Sequence, residues 1–539
     1  MPTVTGSVGL IIIFQSLVQG KNILTNTNEG FLDKKQNKDF KDLPSMSNPS
    51  LEFEAVHQEW QNEGIRETVE AEKQRIQVDS IFGNRKTLPD KQGRDVSCQV
   101  LVLGAGMAGV TAARTLRKLG INDVMLVEGS NRIGGRVKDV QFGGVHVEVG
   151  ANWVHFSQMG ENDTNSVEEM CKSGGLNMIQ DPYDDYIFRY EGKNVTAEAN
   201  EGFERYEEAL EHVRTIGERK EQYGEPDVNF RVGLSMASWR PLTPVERAVE
   251  FFSFDFEFGE EPEETGLRSN YQVLKEHKRL DQFVSDKRGY SQIIHNMVEK
   301  DLDLKENVNF FLNDYVREIH YNEPGEKKIR VKTKNKKDGS INIYRADYVI
   351  VTFSIGVLAS NFVKFEPKLP IWKEEIMYMY QMVRYIKIFV KFPSNITAFW
   401  DDNHYIMYVD PTQRGNYQIW QNLESRGKYF PTGTNLLLVT VLGNNWERVQ
   451  HLTKNQIKHE LFAVLRNMYG DKAVEPEDIL IPDWNHNPLF FGSYSNWPIG
   501  VTKNTFKNLA APVGRLYFAG EACSEDFPGY LHGAVQRYF

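Results

Sequence analysis

Cysteine is scarce. Cys98, Cys171 and Cys523 are the three in 539 residues, too few and too widely spaced for a disulfide framework or a thiolate metal cluster. At most one bridge can form, and no metal site is expected. Long apolar runs are also lacking. The N-terminal "GSVGLIIIFQSLVQG" is too short and too interrupted for the ~20 apolar residues that span a bilayer, and no other segment qualifies. Basic charge is in deficit, 63 Lys and Arg against 74 Asp and Glu for a formal net charge of -11. This argues against nucleic acid as the main partner, because phosphate backbones are bound by clustered Lys and Arg. An acidic balance suits a cationic ligand, although net charge speaks mainly to solubility and steering. No internal repeat occurs.

What is present is an ordinary globular composition, 40% hydrophobic, 12% aromatic and 25% charged, in a chain long enough for two or more domains. The apolar N-terminal run has signal-peptide length, yet no Lys or Arg precedes it and its cleavage site is poor. Sequons at Asn162, Asn194 and Asn395 agree with secretion, but three are about what chance supplies. A secreted protein is one expectation; a cytoplasmic or peroxisomal one is the alternative. Residues 21 to about 95 are polar, so 1–96 reads as a signal-like segment and a mobile arm.

The character changes at Cys98. "CQVLVL" reads as a buried parallel strand, "MAGVTAARTLRKLG" as a helix closed by Gly120, and "DVMLVEG" as a second buried strand. "DYVIVT" and "RLYFAGE" are further strands that complete the same sheet from distant segments. "YIKIFVKF", "NYQIWQNL" and "TNLLLVTVLG" alternate, which predicts a second, antiparallel sheet with one face covered. A helix opened by a Thr453–Gln456 capping box, with Ile457, Leu461, Val464 and Met468 in one stripe, is expected to cover it.

"VLVLGAGMAGVTAARTL" places Gly104, Gly106 and Gly109 in GxGxxG register between a strand and a helix that opens with Met107 and Ala108. The chemistry requires Gly104 for a tight turn, Gly106 for close approach of backbone to a pyrophosphate, and Gly109 for helix-to-strand packing. Glu128, followed by Gly129, ends the next strand and can accept two ribose hydroxyls. A dinucleotide is therefore expected, with NAD and FAD both compatible with these residues.

Three further stretches separate them. "GSNRIGGRV" follows the acid-bearing strand, "VEVGANWVH" comes next, and "GRLYFAGEACSEDFPGYLHGAV" closes the chain. With these the sequence resembles the flavin-dependent amine oxidases from about residue 97 to 539. The resemblance implies FAD. It places Arg132, Gly135 and Arg136 at the phosphates, and Gly150, Ala151, Asn152 and Trp153 against the isoalloxazine. It also sets Gly520 and Glu521 near the ribityl and phosphate groups, Tyr530 beside the flavin, the Leu531 backbone at the pyrimidine edge and Val316 at the adenine. The implied fold is α/β: a Rossmann-like FAD-binding domain of the p-hydroxybenzoate hydroxylase-like type, with a second α+β substrate domain on a mixed antiparallel sheet. FAD segments are expected at 97–176, 290–380 and 494–539, and substrate segments at 177–289 and 381–493.

Within the family the blocks "DKRGY", "FEPKLPIWK", "RYIKIFVKF" and "YSNWPIGV" are most similar to polyamine oxidases of the plant extracellular type. The reaction so implied moves a hydride equivalent from the carbon beside an amine of spermine, spermidine or an acetylated form to flavin N5. Hydrolysis of the imine and reoxidation by O2 to hydrogen peroxide follow. Lys387 in "YIKIF" matches the lysine that holds a water against N5, where desolvation would lower its pKa. Against this stands an exposed position on an ordinary strand. Trp484, Tyr494 and Tyr530 match aromatic walls around the amine, Tyr385 flanks Lys387, and His155 stands where plant enzymes carry a carboxylate and animal ones a histidine. Asp255, Glu257 and Glu260 resemble an acidic tunnel entrance, of which Glu257 is carried forward.

Monoamine oxidases hold flavin through a cysteine before the final motif, and "PLFFGSYSNWP" has none, so FAD is expected to be noncovalent. Histone demethylases need a long helical insertion, which is not evident. Another flavin amine oxidase, acting on monoamines or amino acids, or an FAD- and polyamine-binding protein of weak turnover, remain the alternatives. The closing "HGAVQRYF" stops where relatives continue a helix, leaving completeness open. A monomer or homodimer is expected.

Overall fold

The computed structural model describes residues 92–155, 165–271, 281–302, 308–425 and 429–536. The signal-like run, the arm up to residue 91 and the Asn162 sequon lie outside the described residues. In chain order the strands of the two large sheets are β1 (Gln92–Leu103), β2 (Val124–Glu128), β3 (Tyr186–Tyr190), β4 (Lys193–Asn194), β5 (Val308–Leu312), β6 (Asp314–His320), β7 (Ile329–Asn335) and β8 (Ile341–Val351). They continue with β9 (Lys364–Glu366), β10 (Tyr385–Lys391), β11 (Tyr405–Tyr408), β12 (Ile419–Asn422), β13 (Leu436–Leu442), β14 (Asp478–Leu480) and β15 (Leu516–Phe518).

The first sheet runs β5-β2-β1-β8-β7-β6-β9, with β15 also on β8. Its centre is parallel: β1 pairs with β2 and β8, and β2 with β5. Every residue of β2 is buried, as expected of a strand covered on both faces. β8 changes partner along its length, with Ile341–Ala346 antiparallel to β7 and Val349–Val351 parallel to β15. The final motif thereby returns to the sheet that carries the first. Helix α1 (Met107–Lys118) follows β1 and buries Val110, Ala112, Ala113 and Leu116. It ends before Gly120, whose φ of 84° is the left-handed geometry of a helix C-terminus.

β1 starts six residues before Cys98. Its first five residues, placed in the arm by the sequence reading, pair toward β8, and Arg94 N donates to the Asn342 side chain. No apolar run marks this portion because it is an exposed extension of the strand.

The second sheet runs β14-β10-β13-β12-β11-β3-β4, antiparallel except for β11 on β3. Contrary to the alternation, both faces are covered. Helix α2 (Thr196–Tyr223) and the Phe251–Phe258 segment pack with Tyr405, Met407, Ile419 and Leu442. Helix α3 (Lys454–Tyr469) has the Thr453–Gln456 capping box and packs Ile457, Leu461, Val464 and Met468 with Ile406, Trp420 and Val439. The polar residues that create the alternation are themselves buried and hydrogen-bonded: Gln418 donates to Ala248 O, and Asn422 to Asp401 O. No helix among the described residues is long and apolar enough to cross a membrane.

Candidate active site

A cavity of about 290 Å³ is lined by segments of both sheets. At one end β1 turns into α1. Gly104 has φ 107°, and a Cβ there would lie 2.5 Å from Thr352 Oγ1. Gly106 caps α1 without any side-chain hydrogen bond, which leaves the positive helix end open toward the cavity beside Met107 and Ala108. Gly106 faces Gly135, whose added Cβ would approach Gly106 Cα to 3.1 Å. Two glycine loops thus meet with no side chain between them. Glu128 closes this end, accepting from Ala105 N (2.8 Å) and Ser130 N (2.7 Å); a carboxylate has lone pairs for two further donors. Gly129, Gly134 and Val316 also line it.

Gly109 and Arg132 do not line the cavity. A Cβ on Gly109 would fall 1.9 Å from Gly104 O, so its role is close packing of α1 on the turn. Arg132 turns onto its own loop and donates to the carbonyls of Ile133, Val137 and Gly135. It shapes the loop, with these carbonyls as the acceptors at hand while burial penalises its charge. Arg136 does line the cavity. It pairs with Glu521 at 2.8 Å and donates to Ser493 O. Glu521 also accepts from Ser495 Oγ (2.6 Å) and Gly529 N (2.8 Å), tying four segments together beside Gly520 and Leu531.

The middle of the cavity is walled by Gly150, Ala151, Asn152 and Trp153. Lys387, on β10 opposite Thr440 of β13, reaches this wall. Only 3% of it is exposed, which removes the solvent-exposed reading. Its Nζ donates to Gly150 O (2.6 Å) and Glu148 O (3.2 Å) and sits 4.8 Å from the centre of the Trp153 ring. Desolvation pushes its pKa down, and the Glu148 charge opposes the shift. Trp484 donates to Val149 O at 3.0 Å, fixing its ring against the same wall.

The far end is aromatic and acidic. Tyr385 and Tyr494 stand with ring centres 5.9 Å apart. Tyr530 donates to Glu257 at 2.5 Å, and its ring lies edge-on to His155 at 5.1 Å. Glu257 lines the cavity; Asp255 and Glu260 do not. Those two are buried ion pairs, Asp255 with Arg414 and Glu260 with Arg384, so neither belongs to an acidic entrance.

Sequence reasoning missed the residues behind this end. His155 Nδ1 lies 2.9 Å from Asp281, which is 1% exposed. Asp181 accepts from Trp153 Nε1 and from Tyr405 Oη (3.0 Å), and burial pushes its pKa up to about 7. Both carboxylates sit on irregular backbone at the ends of short strands, where no spacing marks them. Among the described residues no cluster of His, Cys, Asp or Glu is arranged to hold a metal.

Glycine loops that present backbone alone to one end of the cavity, a buried acid at the end of β2 and a buried lysine over a tryptophan-lined wall fit a flavin-dependent oxidoreductase site. The profile of the flavin containing amine oxidoreductases matches residues 107–537. The chain belongs to that family, and its cofactor is FAD. Among curated proteins it is similar to polyamine oxidase 6 of Oryza sativa subsp. japonica, 35% identical over 456 residues (81% of this chain, 88% of the relative). It is also similar to polyamine oxidase 1 of Zea mays, 34% identical over 457 residues, with coverage of 81% and 88%. Among solved structures, wild-type putrescine oxidase bound to putrescine superposes with a TM-score of 0.63 at 19% identity, over 82% of this chain and 97% of that one. At that identity it supports the fold alone.

Proposed function

We propose that this amine oxidase acts on polyamines, with Lys387, Trp484 and Tyr530 at the reacting centre and His155, Glu257, Tyr385 and Tyr494 holding the amine chain. The observation that carries the reading is the meeting, in one cavity, of a backbone-lined nucleotide end with an aromatic and acidic end across a buried lysine. The two named relatives above, both polyamine oxidases, support it. The glycine loops, Glu128, Arg136 and Glu521 line one end of the cavity or brace it and would hold FAD noncovalently; when bound, the flavin would supply the acceptor for a hydride from the carbon beside an amine and the route for its two electrons to O2.

The chain's own residues do the rest. Aromatic faces of Tyr385, Tyr494 and Tyr530 orient an amine and attract a charged nitrogen farther along the substrate. Glu257 adds a carboxylate at the same end, and Asp281 orients the His155 ring. Burial of Lys387 weakens its hold on its proton, so that Nζ can donate to or accept from a water in the cavity. Trp153 and Trp484 keep bulk water from the wall.

Anaerobic mixing with spermine, spermidine and their acetylated forms should bleach the flavin. Mass spectrometry of the aminoaldehyde would then name the carbon attacked. A flavin that none of these reduces, while a monoamine or amino acid does, overturns the polyamine reading. We extend the proposal to a secreted location, supported by the exposed sequons at Asn194 and Asn395. Glycosidase treatment of the natural protein should increase its gel mobility; an unchanged band refutes secretion by that route.

A further inference from the structure

One buried acid next to the cavity has no part in the reading above. Glu148 ends the strand Val145–Glu148, which forms a hairpin with Asp139–Phe142 and leads directly into the Gly150–Trp153 wall. It is 8% exposed. One carboxyl oxygen accepts from Tyr290 N at 2.5 Å, while Oε2 is buried with no hydrogen-bond partner. A buried acceptor left in this state is rare and asks for a reason. Its main-chain oxygen is one of the two that hold Lys387 Nζ. Among the described residues no carboxylate pairs with Nζ within salt-bridge distance; Glu148, buried and joined to Nζ through its own carbonyl, is the acid whose charge acts on the ammonium.

We infer that Glu148 is a positioning residue for Lys387, its buried carboxylate setting the pH at which Nζ gives up its proton. Burial drives both groups toward their neutral forms, Lys387 downward and Glu148 upward, and each opposes the shift of the other. The other groups facing Glu148 are the Tyr290 N–H, Asp139 with its partner His146, and Arg132. Asp139 and Arg132 act on Glu148 in opposite directions. On the lysine side the neighbours are Trp153, Thr440 and two carbonyls, none of them charged. Removing the Glu148 charge therefore has one clear consequence for Nζ: a further fall in its pKa. The use of Lys387 in turnover rests on the proposed function, whereas this coupling is read without turnover.

The test is competitive acetylation of FAD-loaded protein with acetic anhydride across pH, with Lys387 labelling measured by peptide mass spectrometry. Glu148→Gln should move the labelling midpoint down by about one unit. Glu148→Asp, which keeps the charge, should stay with wild type. Equal midpoints for wild type and Glu148→Gln overturn the inference, and so does a Glu148→Asp midpoint that falls with Glu148→Gln, because the effect is then packing. The reciprocal measurement covers a Glu148→Gln protein that does not fold. In Lys387→Met, isotope-edited infrared titration of glutamate-labelled protein should show one buried carboxyl band persisting about one pH unit higher. No shifted glutamate band overturns the inference. Unchanged flavin reoxidation in Lys387→Met would remove Lys387 from its catalytic role and leave the coupling standing.

Discussion

The two ends of the cavity are built by different means. The nucleotide end is made mostly of backbone: Gly104, Gly106, Gly134 and Gly135 expose amide groups where any side chain would collide with a neighbouring loop or bar a ligand. The amine end is made of side chains from separate segments, with His155, Glu257, Tyr385, Tyr494 and Tyr530 converging and Asp181 and Asp281 behind them. Backbone recognition tolerates little change, since it depends on absent atoms. Side-chain recognition can be retuned one residue at a time, which suits the end that must discriminate among amines.

The largest effect is expected at the backbone end. Gly109→Ala puts a Cβ 1.9 Å from Gly104 O. Overpacking of this kind should cost about 3 kcal/mol and yield protein that purifies without yellow colour; a yellow variant of wild-type Tm would break the contrast. Next is Lys387→Met, where FAD should stay bound while the flavin oxidation step slows about 100-fold, measured by stopped-flow absorbance. Equal loss of cofactor would show that the two ends are not separable.

Asp281→Asn removes the charge behind His155, 2.9 Å from Nδ1. It should raise KM for a polyamine about 10-fold, the ~1.4 kcal/mol of one charged hydrogen bond, with a smaller change in kcat. A fall in kcat alone would move His155 from binding to chemistry. The smallest effect concerns Asp181. Its folded pKa of about 7 lies above the unfolded value of 3.8, so the folded state holds the proton longer and stability falls as pH rises from about 4 through 7. Asp181→Asn abolishes that loss. Relative to wild type the variant should gain about 1–2 °C in Tm between pH 5 and pH 8, and a constant difference across that range would refute the raised pKa.

The same contrast decides what could be read in advance. Gly104 and Gly109 were legible because a tight turn and a helix packed on a strand each demand glycine at a set local spacing. The α3 capping box and apolar stripe were legible for the same reason, since both are satisfied within a few turns of one helix. The loop contacts of Arg132 were not legible. An arginine in a glycine loop has the same pattern whether it meets a phosphate or its own carbonyls, and only the fold brings those carbonyls within reach.

Local order along the chain was thus enough to specify a dinucleotide cradle, a strand carrying Lys387 and the family to which they belong, while the burial of that lysine was settled by the fold. Local order could not specify that the second sheet is covered twice, that Asp281 backs His155, or that the Glu148 carbonyl holds Lys387 Nζ. Those are contacts between residues up to some 240 positions apart. They arise from packing after the sheets form, and desolvation, which turns proximity into chemistry, exists only once they have.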